Sequence, residues 1–389
     1  MSHYNTVLND LLDLLPRHQF DRFVAELKGD RYVKKLTTWK QLTILLYAQA
    51  SGKSSLRDIE TGLRAQGNRL YHLGMEDYRL ARSTLALANG KRDSRIYEQL
   101  FYALLERCRD LTPAHKFRFK NPLYLLDATT IELALSAFPW AKYAKRQGAI
   151  KLHYQFEYAS QIPVFLTVTD AKTPDIKVAR DAFSIIPDSI YCFDRGYTDY
   201  SWYRRITYEG AYFVTRAKSN AVLGYAGQQE RPQGKGVLAD FTVETGGFYA
   251  QKDYPGPLRL IAFYDSATGA YLEFLTNNFT LSAATIAAIY KARWQIEIFF
   301  KWIKQNLKIK SFLGTSKNAV LTQVWVAMCY YLLLAYVKYQ SRYRQSLFYL
   351  HRVVKETLLH RAKIIDLLRL NDRRLKRIAS PDPQLCLQL

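Results

Sequence analysis

Two short apolar runs, Leu123–Asp127 (LYLLD) and Ser189–Asp194 (SIYCFD), each stop at a carboxylate, and they constrain the fold more than any other feature of the chain. Apolar runs of this length read as buried strands. Around them lie alternating stretches at Ile150–Tyr158 and Pro163–Thr169, a helical piece over Lys177–Ser184, a helix through Trp202–Tyr208 and a further strand at Ala211–Thr215. The order is therefore strand, strand, strand, helix, strand, helix, strand. In an open α/β sheet the carboxyl ends of strands are where ligands bind. Two acids placed there, on neighbouring strands, could share one ligand.

That order is the one expected of an RNase H-like α/β core. A block over about 219–280, rich in Gly, Gln and aromatic residues, has strand-like runs at Val237–Val243, Leu258–Tyr264 and Tyr271–Thr276 and reads as a β insertion into the core. Upstream of Pro122 the chain reads as helical. Thr37–Gln49 has a helical stripe ending near Gly52, and Ser55–Arg64 and Ser83–Ala88 open on residues that cap helix N-termini. The expected domains are a helical DNA-binding domain over 1–115, the catalytic core over 116–318 and a helical C-terminal region over 319–389, with basic residues Arg373, Arg374, Lys376 and Arg377. The most apolar run, Val324–Val337, is too short to span a bilayer and is expected to be a buried helix, so no membrane partner is expected.

The helical N-terminal region is assigned to DNA because the chain has a net charge of +22 with ordinary hydrophobicity. Such a folded, basic protein concentrates polyanions at its surface, nucleic acid above all. Its short capped helices with interleaved Arg and Lys resemble a helix-turn-helix arrangement. A fragment ending near Asp110 is expected to carry the sequence-specific recognition. Cys108, Cys192, Cys329 and Cys386 are far apart and have no zinc spacing, so neither a disulfide framework nor structural zinc is expected, and a reducing cytoplasm is the default. The N-terminus has no signal-peptide pattern.

From Leu281 to Val320 there is one acidic residue, Glu297, among seven basic ones, Lys291, Arg293, Lys301, Lys304, Lys308, Lys310 and Lys317. Apolar Ile296, Phe299, Phe300, Ile303 and Leu307 recur at helical spacing, which leaves Arg293, Glu297, Lys301, Lys304 and Lys308 on the opposite face. A lone carboxylate on a basic stripe suits a site that holds a polyanion beside a cation. The bland alternative is a solvated face on which Glu297 pairs with its neighbours one turn away. Asp127 and Asp194 have bland alternatives too, as turn residues. If the three acids converge without His or Cys, they make an oxygen site suited to Mg²⁺ or Mn²⁺. Two such ions can serve phosphodiester displacement. Glu132, His153 and Asp199 read as a solvent-facing residue, a structural histidine and a weaker ligand candidate.

Taken together, these residues resemble the DDE transposases of the insertion-sequence-four family, bacterial cut-and-paste enzymes. Tyr290, Arg293, Glu297 and Lys304 match the family pattern Y-x2-R-x3-E-x6-K at every position, while Leu126-Asp127-Ala-Thr and Phe193-Asp194-Arg-Gly-Tyr197 resemble its two Asp motifs. The resemblance implies that Asp127 bridges two metal ions, with Asp194 completing one site and Glu297 the other. It implies that Tyr290, Arg293 and Lys304 grip phosphates near the cleaved end, beside the basic face that includes Lys301 and Lys308. Where a hairpin forms, Trp294 or one of Phe248, Tyr249 and Tyr254 would hold a flipped base. The implied partners are the inverted-repeat ends and target DNA, bound by a homodimer at synapsis. The rival readings are a nuclease on the same core that never joins strands, and an inactive DNA-binding regulator.

Overall fold

The structure is a computed structural model that describes residues 5–73, 81–109, 111, 117–229, 234–307 and 311–379. It falls into two compact units, one built from Met1–Pro113, Leu133–Lys142 and Trp302–Leu389, the other from Ala114–Glu132 and Tyr143–Lys301. This divides the chain differently from the expected three blocks, because the N-terminal and C-terminal helices make one unit. The reason is the helix Lys317–Gln340, which is apolar nearly all round and needs partners on every side. Residues near the N-terminus supply them: Trp325 lies 5.5 Å from the Phe101 ring, and the Cys329 and Cys108 thiols reach the Tyr97 and Leu332 carbonyls. Asn318 ties the start of the same helix to the Asn89 and Arg92 carbonyls. At 24 residues this helix is longer than the expected run and is long and apolar enough to cross a membrane, yet 89% of its most apolar stretch is buried within the protein.

The capping signals upstream place most helix ends. Thr37 accepts from the Lys40 amide to start Thr38–Ser51, and Gly52 ends it at φ 72°, a backbone region that glycine enters without steric penalty. Ser55 caps Leu56–Gln66 in the same way. The next helix, Arg82–Lys91, begins one residue before the expected Ser83 cap, with Ala81 at its N-cap position and no side-chain bond.

The second unit is a sheet with flanking helices. Its strands are β1 (Leu123–Leu133), β2 (Lys142–Ala144), β3 (Gln147–Glu157), β4 (Ile162–Asp170), β5 (Ile190–Cys192), β6 (Tyr212–Arg216), β7 (Leu223–Gln228), β8 (Val237–Thr245), β9 (Leu258–Asp265) and β10 (Ala270–Thr276). They hydrogen-bond in the order β2-β3-β1-β5-β6-β10-β9-β8-β7, with β4 paired to β3. β5 runs parallel to β1 and β6, while β3–β4, β6–β10 and the β7–β10 ladder are antiparallel. The block read as an insertion is thus an extension of the central sheet, with β10 annealed directly to β6. β7 and the short helix Phe248–Asp253 had no counterpart in the sequence reading.

Strand periodicity sends alternate side chains to opposite faces. Tyr124 and Leu126 of β1 join Tyr191, Phe193, Phe213, Trp202 and Tyr203 in one core, where the helix Tyr200–Tyr208 packs its aromatic face. Phe193 lies 4.8 Å from Trp202 and Tyr203 lies 4.4 Å from Phe213, ring to ring. Asp127 has the other parity, so its side chain belongs to the opposite face. There the Cys192 thiol donates to the Ile289 carbonyl of helix Ala283–Ala292, and Phe299 packs on Tyr154 and Phe156 of β3 at 5.2 and 4.8 Å.

Candidate active site

Asp127 does not end its strand, as the sequence reading had it. β1 continues to Leu133, with Thr129, Ile131 and Leu133 turned inward and Glu132 exposed. The neighbouring strand ends instead: β5 pairs with β1 through Leu123, Tyr124 and Leu125, and stops at Cys192. Asp127 therefore stands on a strand that overruns its partner, two residues beyond the last paired position on that side.

Asp194 lies two residues past the end of β5. Its Oδ1 accepts the Gly196 amide at 2.8 Å and so caps the tight turn Arg195–Tyr197. A Cβ at position 196 would lie 2.9 Å from that same oxygen, so glycine here lets the carboxylate keep its place. Tyr197 closes the turn by burying its ring against Phe193, at 5.8 Å.

Glu297 arrives on the helix Trp294–Asn306. The single expected helix is broken at Arg293, between Ala283–Ala292 and Trp294–Asn306. Neither Gly nor Pro is involved. At the break the Arg293 amide bonds to Tyr290 and the Ile296 amide to Arg293, both tighter three-residue steps, which offset the second helix from the first. Arg293 then reaches two acids at once: Nη1 donates to Asp127 Oδ2 at 3.2 Å and Nη2 to Glu297 Oε1 at 2.5 Å. The guanidinium keeps 17% of its side-chain exposure, so this is a sheltered bridge.

Three carboxylates thus share one neighbourhood with one guanidinium. Burial drives the Asp127 pKa up to about 7, and the nearby charges of Asp194 and Glu297 push the same way, against the Ala128 amide and Arg293. Burial alone would weaken the Arg293 charge, but Tyr290, Glu297 and Asp127 outweigh it and hold the group above its ordinary value. Two buried donors, Arg293 Nε and the Tyr197 hydroxyl, have no hydrogen-bond partner among the described residues.

The raised Asp127 pKa makes stability depend on pH with a definite sign. The folded-state value lies above the unfolded one, so the stabilising contribution is complete below about pH 4 and is lost as pH rises through about 7. At 1.36 kcal/mol per unit, the loss is on the order of 4 kcal/mol. In metal-free buffer Asp127→Asn should therefore match wild type near pH 4 and unfold at a higher temperature above pH 7. Parallel melting curves across that range would expose the error.

The structure places the other candidates as follows. Tyr290 packs against Phe274 at 4.9 Å and under the Arg293 guanidinium, half-buried. Trp294 is 59% exposed and Lys301 is exposed. Lys304 is half-buried and falls in the other compact unit, and Lys308 lies outside the described residues. Phe248 and Tyr249 are exposed, whereas Tyr254 is buried in the sheet core with its hydroxyl 3.2 Å from Thr207, which removes it as a base-holding aromatic. Asp199 caps the helix Tyr200–Tyr208 and pairs with Arg180. His153 is wholly buried between Thr169 and Asp175. The sequence reading did not assign Arg293 to a bridge between the acids, although its one-turn spacing from Glu297 is visible there.

A family model described as a transposase DDE domain matches residues 118–333, which covers the sheet, Asp127, Asp194 and the Glu297 helix. The chain belongs to the DDE-domain transposases. A protein of Sinorhizobium fredii named as transposase y4zB is 37% identical over 254 residues, 64% of this chain and 69% of that one. A transposase of insertion sequence element IS5377 from Geobacillus stearothermophilus is 28% identical over 87% of this chain and 86% of its own. These relatives are consistent with the insertion-sequence-four type. The piggyBac transposase chain of a synaptic complex with hairpin DNA aligns at TM-score 0.47 and 10% identity, over 96% of this chain and 80% of that one. Residues 3–76 match a domain of unknown function.

Membership in this transposase family implies dependence on divalent metal ions. Among the described residues no group of three or more His, Cys, Asp or Glu stands close enough to hold one, and Arg293 spans two of the three acids. The donor chemistry still suits a hard cation. All three acids offer oxygen, and one guanidinium stands among three carboxylates, which leaves the cluster with a net negative charge when all are ionised.

Proposed function

We propose that this transposase binds the terminal inverted repeats of its element, cleaves the ends and joins the freed 3′-hydroxyls to target DNA, on an RNase H-like core with Asp127, Asp194 and Glu297 as its acids. The strand order β4-β3-β1-β5-β6, with β5 parallel to both neighbours, supports that core. The observation that carries the reading is the single guanidinium bonded to both Asp127 and Glu297 while Asp194 adds its charge to Asp127. Two Mg²⁺ or Mn²⁺ ions held by these acids would supply activation of the attacking oxygen and stabilisation of the leaving one.

The chain's own residues do the rest. Asp127 would have to be ionised to hold a cation, and burial works against that charge, so a bound cation would offset a cost that the fold imposes. Arg293, at the break between the helices, offsets one of the three negative charges and ties Asp127 of β1 to Glu297 of the second helix. The exposed Trp294 and Lys301 lie within two turns of Glu297 on its own helix, where a DNA end held at the acids would meet them. Synapsis of two ends calls for a homodimer on DNA.

Pre-cut end duplexes incubated with supercoiled target and Mg²⁺ should yield joined products dependent on all three acids. Nicking without joining would replace the reading with that of a nuclease. Neither nicking nor joining would leave a DNA-binding regulator.

A further inference from the structure

Within residues 3–76, the segment matched to a domain of unknown function, the loop Leu27–Leu36 has a shape and charge that the catalytic core does not explain. It forms one wall of a groove of about 710 Å³ whose other wall is the helix Arg82–Lys91. Lys28, Arg31, Lys34, Lys35 and Lys91 line this groove and are all exposed. None of the five forms an ion pair among the described residues. The two nearby acids are already committed: Asp30 accepts both the amide and the hydroxyl of Thr38, and Asp93 is bonded to Arg95. The groove therefore presents five exposed positive charges against one lining acid, Asp93, which is already paired with Arg95.

The loop is also rigid in a way that suits a binding surface. Lys28 and Tyr32 sit at φ 52° and 60°, a left-handed backbone that costs a non-glycine residue on the order of 1 kcal/mol. Such conformations persist where the surroundings over-determine them, and they cluster at functional sites. Here the clamp is Arg92, only 8% exposed, which donates to the Gly29 and Leu36 carbonyls and to Gln41. Gly29 is seated so closely that a Cβ would come within 2.8 Å of Ile96. With the backbone fixed, Tyr32 is 87% exposed, its ring 4.9 Å from the Arg31 guanidinium and its hydroxyl bonded to it.

We infer that this groove grips the phosphodiester backbone of duplex DNA. Flexible lysines contribute charge without reading base edges, so the hold is independent of sequence. Fixing the loop in advance removes an ordering cost at binding. The choice of DNA as the polyanion rests on the proposed function, whereas the site itself rests on the groove.

The test uses full-length protein with Arg31→Ala, Lys34→Ala and Lys35→Ala combined, and a second variant that keeps Arg31 and has Lys34→Arg and Lys35→Arg, called the arginine triple for its three arginines. Binding of an end duplex and of a scrambled duplex is measured across salt concentrations. The alanine triple should weaken both alike and lower the slope of log K against log salt by about 2.7, near 0.9 per lost phosphate contact. The arginine triple should restore the slope, and melting temperatures should stay unchanged. An unaltered slope on both duplexes overturns the inference, as does a loss confined to the end duplex, which would mean base reading. Because scrambled duplex suffices as ligand, absence of strand joining would sink the proposed function and leave this result standing.

Discussion

Alanine at Asp127, Asp194 or Glu297 is expected to abolish both cleavage and joining while leaving end binding within about threefold of wild type. Losing one acid from a metal-dependent phosphoryl-transfer site removes several kcal/mol of charge stabilisation, and about 4 kcal/mol corresponds to roughly 10³-fold in rate. Affinity for DNA comes mainly from Lys and Arg contacts to phosphates, which these changes leave alone. Asp194→Ala also removes the cap of the Arg195–Tyr197 turn, so Asp194→Asn, which can still accept the Gly196 amide, separates chemistry from folding. Asp127→Asn has an opposite pair of effects: activity disappears while stability above pH 7 rises, because the buried, crowded charge is gone. That combination marks a group kept for function at a cost to the fold. Cleavage at near-normal rates by any one of the three alanine variants would take that residue out of the site.

A fragment ending at Pro113 is expected to lack a cooperative fold, although its helices have good caps. It would lose the helix Lys317–Gln340, in which Val324, Val326, Leu332, Leu333 and Leu334 are wholly buried. At about 2 kcal/mol for each buried aliphatic side chain, those five alone amount to about 10 kcal/mol, as much as a whole domain's net stability. The loss would also uncover Phe101, which packs on Trp325, and remove the backbone pairing of Val7 and Leu8 with residues 358 and 360. Urea titration followed by circular dichroism should show a broad, non-cooperative change for the fragment and a sharp transition for the full chain. A sharp transition at a similar midpoint for the fragment would defeat the expectation.

The strands and most helix ends were legible in the sequence because they depend on local pattern. Runs such as Ile190–Cys192 are apolar throughout, Thr37 and Ser55 stand at helix starts, and Gly52 stands at an end. Two carboxylates near the ends of sheet pairing, and one on a basic helix, were legible for the same reason. The continuation of β1 past Asp127 was not, since Asp-Ala-Thr-Thr also suits a turn and the extension is decided by neighbouring strands. Nor was the union of the two chain ends, because a contact such as Asn318 to Asn89 spans 229 residues and leaves no periodic trace. Burial of Tyr254 belongs with these: an aromatic in a Gly-rich block looks exposed until the sheet closes over it. The Arg293 bridge is intermediate, with its Glu297 half visible at one-turn spacing and its Asp127 half, 166 residues away, invisible.

The direct annealing of β10 to β6 gives the insertion a mechanical character. Strands β7 to β10 and the strands that carry the acids are one hydrogen-bonded lamina, with residue-to-residue registers from Val243–Leu258 through Leu260–Leu275 and Thr215–Leu275 to Cys192–Val214. A hinge between the insertion and the acids would have to break a ladder of backbone bonds, so the lamina deforms by twisting as one plate. The exposed pair Phe248 and Tyr249, hung between β8 and β9, is therefore held at a set span from Asp194, like the far jaw of a gauge. Changing the number of strand residues in β8 or β9 would reset that span by about 3.3 Å per residue, whereas changing the turns at their ends would leave it as it is.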